Sequence, residues 1–174
     1  MDYRELYDLE RYLLDKVTAR WHRSGQLSPF DFWCILIWKA NRAKNKTKAR
    51  LQELAEGSFS GAVRKLANDL RAAQGPESRL SVLMVKWRFR LPTAPAVLTI
   101  LYPDTFTVYD ERVCDVLKSF TELRHRKYSK KLWSDYLKYK RAVEHAAPQR
   151  LMLRDKDRYL WGKSLYDDIK AQSA

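Results

Sequence analysis

The chain predicts an all-α protein, and three observations lead there. Apolar residues recur at helical spacing through most of the sequence. Residues that start and stop helices (Ser, Asp, Pro, Gly) stand at the ends of those stretches. Only the short "FTVY" at 106–109 alternates at period two. With 174 residues, 45% of them hydrophobic and 13% aromatic, the chain can bury a core, and it is neither disordered nor collagen-like. No internal repeat, low-complexity tract or linker divides it, so one compact domain over 1–174 is expected.

The elements follow in order. Residues 2–23 carry Leu6, Leu9, Leu13, Val17 and Trp21 on one helical face, and Ser24-Gly25 ends the run. Ser28-Pro29 then opens a second helix, with Ser as N-cap, Pro at the first position and Asp31 in the first turn. It begins as core, "FDFWCILIWK", and turns basic from Lys39. Ser58 to Gln74 predicts a third helix ended by Gly75-Pro76, and Glu77 to Phe89 a fourth. Leu91 to Tyr102 predicts a fifth and Asp110 to Phe120 a sixth. Ser129 opens a seventh, which runs to about Ala146. Residues 153–171 give the last, with Leu160, Trp161, Leu165 and Ile169 on its apolar face.

Charge is the strongest bulk signal. Lys and Arg total 34 against 21 acids, a formal charge of +13. That excess predicts a polyanionic partner, with nucleic acid ahead of an anionic membrane surface. No apolar run is long enough to span a bilayer, and the first twenty residues lack a signal-peptide core. The expectation is a cytoplasmic, nucleoid-associated monomer with no membrane partner. Cys34 and Cys114 are too few for a Cys-ligated cluster, and His22, His125 and His145 show no ligand spacing. Neither a metal nor a cofactor is expected.

Two basic clusters stand out. Lys39, Arg42, Lys44, Lys46, Lys48 and Arg50 form the first, with no acid among them. Arg124, Arg126, Lys127, Lys130 and Lys131 form the second, continued by Lys138, Lys140 and Arg141. Such side chains neutralise phosphates and release counterions, and the aromatics interleaved with the second cluster are able to stack on bases. Trp133, Tyr136 and Leu137 nevertheless have core-like spacing, which favours packing for the rings and phosphate contact for the charges.

Asp110, at the start of the sixth helix, reads first as an N-cap. The surrounding order adds a second reading. Trp87-Arg88-Phe89-Arg90, then Pro92, then Thr93-Ala94-Pro95-Ala96-Val97-Leu98, then Val108-Tyr109-Asp110-Glu111-Arg112-Val113 resembles the helix-hairpin-helix (HhH-GPD) DNA glycosylase superfamily. The group concerned is that of endonuclease III and the adenine-mismatch glycosylases. Pro92 falls at the lysine-or-serine position, eighteen residues before the aspartate. The resemblance implies that fold, binding to duplex DNA, and chemistry on a flipped base.

It implies departures as well. Arg88 and Arg90 replace the small hairpin residues, so the hairpin binds through arginine side chains or does not bind. Pro92 has no amine to form a Schiff base, which removes lyase chemistry by the family's route. What remains implied is a monofunctional, cofactor-free N-glycosylase, a hydrolase of base-excision repair. Its catalytic group is Asp110, whose carboxylate stabilises the oxocarbenium-like sugar and orients water. Trp38, Trp87 and Tyr109 are the expected base pocket. The alternative is a non-catalytic DNA- or RNA-binding helical module with a degenerate hairpin.

Overall fold

The computed structural model describes residues 3–173, and among them every regular element is helical. The sequence predicts one compact domain; the folded chain gathers into two compact units. One is Met1–Phe89 with Ile100–Tyr102; the other is Arg90–Thr99 with Pro103–Ala174.

In the first unit a 3₁₀ turn (Tyr3–Leu6) precedes α1 (Leu9–Tyr12), a π turn (Leu13–Val17) and α2 (Thr18–Ser24). The predicted first helix is therefore real but starts later, and its position 2 lies outside the described residues. Leu13, Val17 and Trp21 are buried as the spacing predicts. Gly25, at φ +65°, ends the helix by donating its N–H to the Trp21 carbonyl at 2.7 Å.

Helix α3 (Pro29–Ala40) starts as expected, with Ser28 Oγ accepting from the Asp31 N–H at 3.0 Å. The carboxylate of Asp31 is fully buried, and it takes hydrogen bonds from the Tyr12 hydroxyl (2.8 Å) and Arg20 Nη1 (2.9 Å). The basic tail does not continue α3. Ala40 leaves the helical region (φ −138°, ψ 39°), a 3₁₀ turn follows (Asn41–Ala43), and α4 (Lys44–Ala55) runs separately.

The break has a packing reason. Phe32, Ile35 and Leu36 of α3 and Thr47, Leu51 and Ala55 of α4 are all buried, and both helices pack on α5 (Phe59–Ala72). One straight rod cannot turn both faces onto the same partner. Helix α5 is capped by Ser58 and buries Ala62, Val63, Leu66, Ala67 and Leu70. Emptying the Leu66 site with alanine costs about 3 kcal/mol. Gly75-Pro76 does not simply end α5. Pro76 sits in the first turn of α6 (Gly75–Ser81), where its missing N–H does no harm, and a π turn (Val82–Lys86) carries on to Trp87.

Helix α7 (Ala94–Leu101) begins in the second unit, and its last residues count with the first. The second unit then contains α8 (Glu111–Leu117), a 3₁₀ turn (Thr121–His125), α9 (Lys130–Ala146) and α10 (Leu153–Ser173), with α8, α9 and α10 packed on one another. Ser129 caps α9 as predicted, accepting from the Leu132 N–H at 3.1 Å.

The predicted apolar face of α10 needs correction. Lys156, Asp157, Leu160 and Ser164 are the buried residues, whereas Trp161 (41%) and Ile169 (58%) are exposed. Asp157 is buried because it answers the backbone of 106–110, described below, while Lys156 donates to the Glu144 carbonyl and Ser164 accepts from Arg112. Among the described residues no helix is long and apolar enough to cross a membrane.

Candidate functional site

The approach to Asp110 is an extended strap. Phe106, Thr107, Val108 and Tyr109 are all buried, yet no strand lies beside them among the described residues. Buried backbone groups must find partners, and with no ladder available they find side chains. The Tyr136 hydroxyl accepts from the Thr107 N–H (3.1 Å) and donates to the Thr107 carbonyl (2.8 Å). The Asp157 carboxylate accepts from the Val108 N–H (3.1 Å) and from Thr107 Oγ1 (2.8 Å). The Tyr139 hydroxyl donates to the Val108 carbonyl (2.8 Å) and accepts a longer bond from the Asp110 N–H (3.4 Å).

The sequence builds this lock simply. Tyr136 and Tyr139, three residues apart, share one face of α9. Asp157, 2% exposed, comes from the first turns of α10 and is ion-paired with Arg154. Burial pushes the phenol pKa values of Tyr136 and Tyr139 far above the ordinary tyrosine range, so both keep the proton they donate. The Tyr109 hydroxyl donates to the Phe120 carbonyl at 2.7 Å, and burial raises its pKa in the same direction. Burial also pushes the Cys114 thiol up to about 11, which leaves it an inert core group.

Asp110 stands at the end of this strap. It is half-buried, its backbone is extended (φ −141°, ψ 142°), and Oδ1 accepts from the Arg112 N–H at 3.1 Å. It is therefore the N-cap of α8, and its charge meets the positive end of the helix dipole. Arg112 ties α8 to α10: its guanidinium lies 2.5 Å from the Asp168 carboxylate and 5.5 Å from the centre of the Trp161 ring.

No family model, curated protein or solved structure matches this chain. The placement of its residues is what bears on function.

The three aromatics expected at a base pocket are placed differently. Trp38 is half-exposed on α3. Trp87 is 2% exposed and donates its indole N–H to Asp69 at 2.9 Å, and Tyr109 is 0% exposed. Neither of the latter two presents a ring face to solvent, and both serve the core of their own unit.

The basic residues also divide by role. In the first cluster the Lys44 ammonium binds the carbonyl (3.1 Å) and side chain (2.7 Å) of Asn41. Lys48 lies 5.7 Å from the ring centres of both Trp33 and Phe59, and Arg50 5.5 Å from that of Phe89. Lys39 is half-buried. Arg42 and Lys46 are exposed, with no ion pair among the described residues. At the turn, Arg88 and Arg90 are exposed and alternate with buried Trp87, Phe89 and Leu91. Arg88 has φ +54° and takes the helix-ending position that glycine usually fills; the Phe89 N–H donates to the Leu83 carbonyl at 2.9 Å around it.

In the second cluster Arg124 pairs with Glu111, and Arg126 with Asp135 at 2.7 Å. The hydrogen bond from Arg126, with a second from Lys138, holds the Asp135 carboxyl below its usual range. Lys127, Lys130 and Lys131 are exposed.

Sequence reasoning missed one group of residues, the lock formed by Tyr136, Tyr139 and Asp157. A signal for it existed. A β-branched, strand-like "FTVY" in an otherwise helical chain has no sheet partner, so polar side chains elsewhere must supply its hydrogen bonds.

Proposed function

We propose that the protein binds DNA along its phosphate backbone and excises a base by hydrolysis, with Asp110 as the catalytic carboxylate of a monofunctional glycosylase of the helix-hairpin-helix kind. The observation that carries the binding half is the start of two helices. Helix α4 opens with Lys44 and Lys46 in its first turns and α9 with Lys130 and Lys131, and neither first turn holds an acid.

Cations at a helix N-terminus oppose the dipole by about 0.3–1 kcal/mol each, while a phosphate there is favoured both by the dipole and by the lysines. Such an arrangement lowers stability in the free protein and becomes favourable once a polyanion is bound. Exposed Arg42, Lys46, Arg88, Arg90, Lys127 and Lys131 supply further phosphate partners.

The strap supports the catalytic half. Three side chains fix the backbone up to Asp110, and the cap bond fixes its carboxylate. A carboxylate that stabilises positive charge on a sugar acts best when its position is set before the substrate arrives. A second reading, a DNA- or RNA-binding module without catalysis, is favoured by one observation. The buried rings of Trp87 and Tyr109 offer no stacking surface to a flipped base.

Incubation with duplexes carrying uracil, oxidised, alkylated or hypermodified bases, followed by alkali, separates the two readings. Abasic sites that form with the wild type and vanish in Asp110→Asn support excision. Salt-sensitive binding with no abasic sites on any duplex selects the module.

A further inference from the structure

A hollow of about 440 Å³ opens in the first unit where α2 and α5 end. His22, Arg23 and Arg71 line it together with Tyr102, and no lining residue is acidic. Arg23 and Arg71 are both exposed, and among the described residues neither has an ion pair. We propose that this hollow is a binding site for a phosphomonoester.

One alternative explanation is that basic residues in a last turn merely complement the helix dipole. Each helix end contributes only about half a negative charge, so two guanidiniums exceed two C-termini by roughly one unit. The surplus leaves the hollow net positive and open to an anion. Guanidinium forks match phosphate oxygens two at a time, which a point charge does not.

The walls are built rather than incidental. A Cβ placed on Gly25 would lie 2.7 Å from Arg71 Nε, so the bare glycine is what lets that side chain cross the backbone. Tyr102 is held by the Trp21 edge (5.8 Å between ring centres) and by the Arg79 guanidinium, 4.1 Å from its own centre; His22 meets it edge-on at 6.2 Å. Arg79 adds a further positive charge behind the ring. The volume falls in the range of small-molecule sites and exceeds what a bare phosphate ion fills.

Two sources present this chemistry, a free mononucleotide and the 5′-phosphorylated end of a nucleic-acid strand. Calorimetric titration of the full chain with adenosine 5′-monophosphate, adenosine, and a 12-nucleotide strand with and without its 5′-phosphate tests the site and tells the sources apart. The monophosphate should bind at least about ten-fold more tightly than adenosine. Arg71→Gln and Arg23→Gln should each reduce that binding by about ten-fold.

Gly25→Ala, which keeps every charge but displaces the Arg71 side chain, should weaken it as well. Lys46→Gln, remote from the hollow in sequence and expected to weaken duplex binding, should leave it unchanged, so failure here is distinguishable from failure of the DNA-binding proposal. A gain from the 5′-phosphate of the strand that disappears in Arg71→Gln identifies the strand end as the ligand; a gain confined to the monophosphate identifies the free nucleotide. Equal binding of monophosphate and adenosine, or wild-type binding in both arginine variants, overturns the proposal.

Discussion

The strap at 106–110 and the turn at 87–91 both join helices without regular structure, and they handle polarity in opposite ways. In the strap four successive residues are buried, and two tyrosines and one aspartate answer the backbone. In the turn only Trp87, Phe89 and Leu91 are buried, while Arg88 and Arg90 reach solvent. The strap concentrates hydrogen-bond energy to fix one carboxylate. The turn leaves cations in water, where each costs little and is ready for a partner. The strap is held by its hydrogen-bond partners, whereas the turn leaves two arginines exposed.

The largest effect should follow from breaking the strap. Asp157→Ala strands the Arg154 charge and two strap donors, and should cost about 3–5 kcal/mol in urea unfolding. Tyr136→Phe leaves the N–H and carbonyl of Thr107 unanswered and should cost about 2 kcal/mol by the same measurement.

The strap should also set the alkaline limit of the fold. Burial raises the folded pKa of Tyr136 and Tyr139, so their contribution is complete below the unfolded tyrosine value of about 10. It is lost as pH rises beyond that value toward the folded ones. Ultraviolet titration should therefore show both phenols ionising only with unfolding, and Tyr139→Phe should remove one of the late-titrating groups.

Changes at the turn should be smaller and opposite in sign. Arg88→Gly relieves a left-handed residue and should stabilise the protein by about 0.5–1 kcal/mol, while duplex affinity falls and the slope of affinity against salt declines by about one. Asp110→Asn, at the end of the strap, should have the smallest effect on stability. Asparagine caps as well as aspartate, so stability should hold within about 0.5 kcal/mol while the base release proposed for Asp110 should be lost. A large loss of stability in that variant would make Asp110 a structural residue first.

Much of this arrangement was legible in the sequence, and the illegible part has a common cause. Ser28, Ser58, Ser129 and Asp110 announced their helices because caps act within one turn of chain. The break at Ala40 was hidden because the need for it arises on α5, a different helix. Asp157 was hidden for a related reason: it lies off the apolar face that Leu160 and Trp161 predict for the last helix, and the strap that needs its carboxylate is about fifty residues away in sequence. Tyr136 and Tyr139 were read through their rings, since hydrophobic periodicity registers the ring and ignores the hydroxyl. Asp110 is legible as a cap, whereas Trp87 and Tyr109 each went to the core of its own unit because apolar burial outweighed any need for an open ring.

The three side chains of the lock hydrogen-bond mainly to backbone atoms of the strap, and Thr107 Oγ1 is the one strap side-chain atom in those bonds; the Tyr136 and Tyr139 rings pack against Phe106 and Tyr109. Evolutionary constraint is thereby moved off the strap and onto α9 and α10. Val108, whose hydrogen bonds all come from its backbone, should tolerate isoleucine without disturbing the carboxylate downstream. Among related chains the tyrosines at 136 and 139 and the acid at 157 should therefore change together or not at all, while the strap they hold drifts.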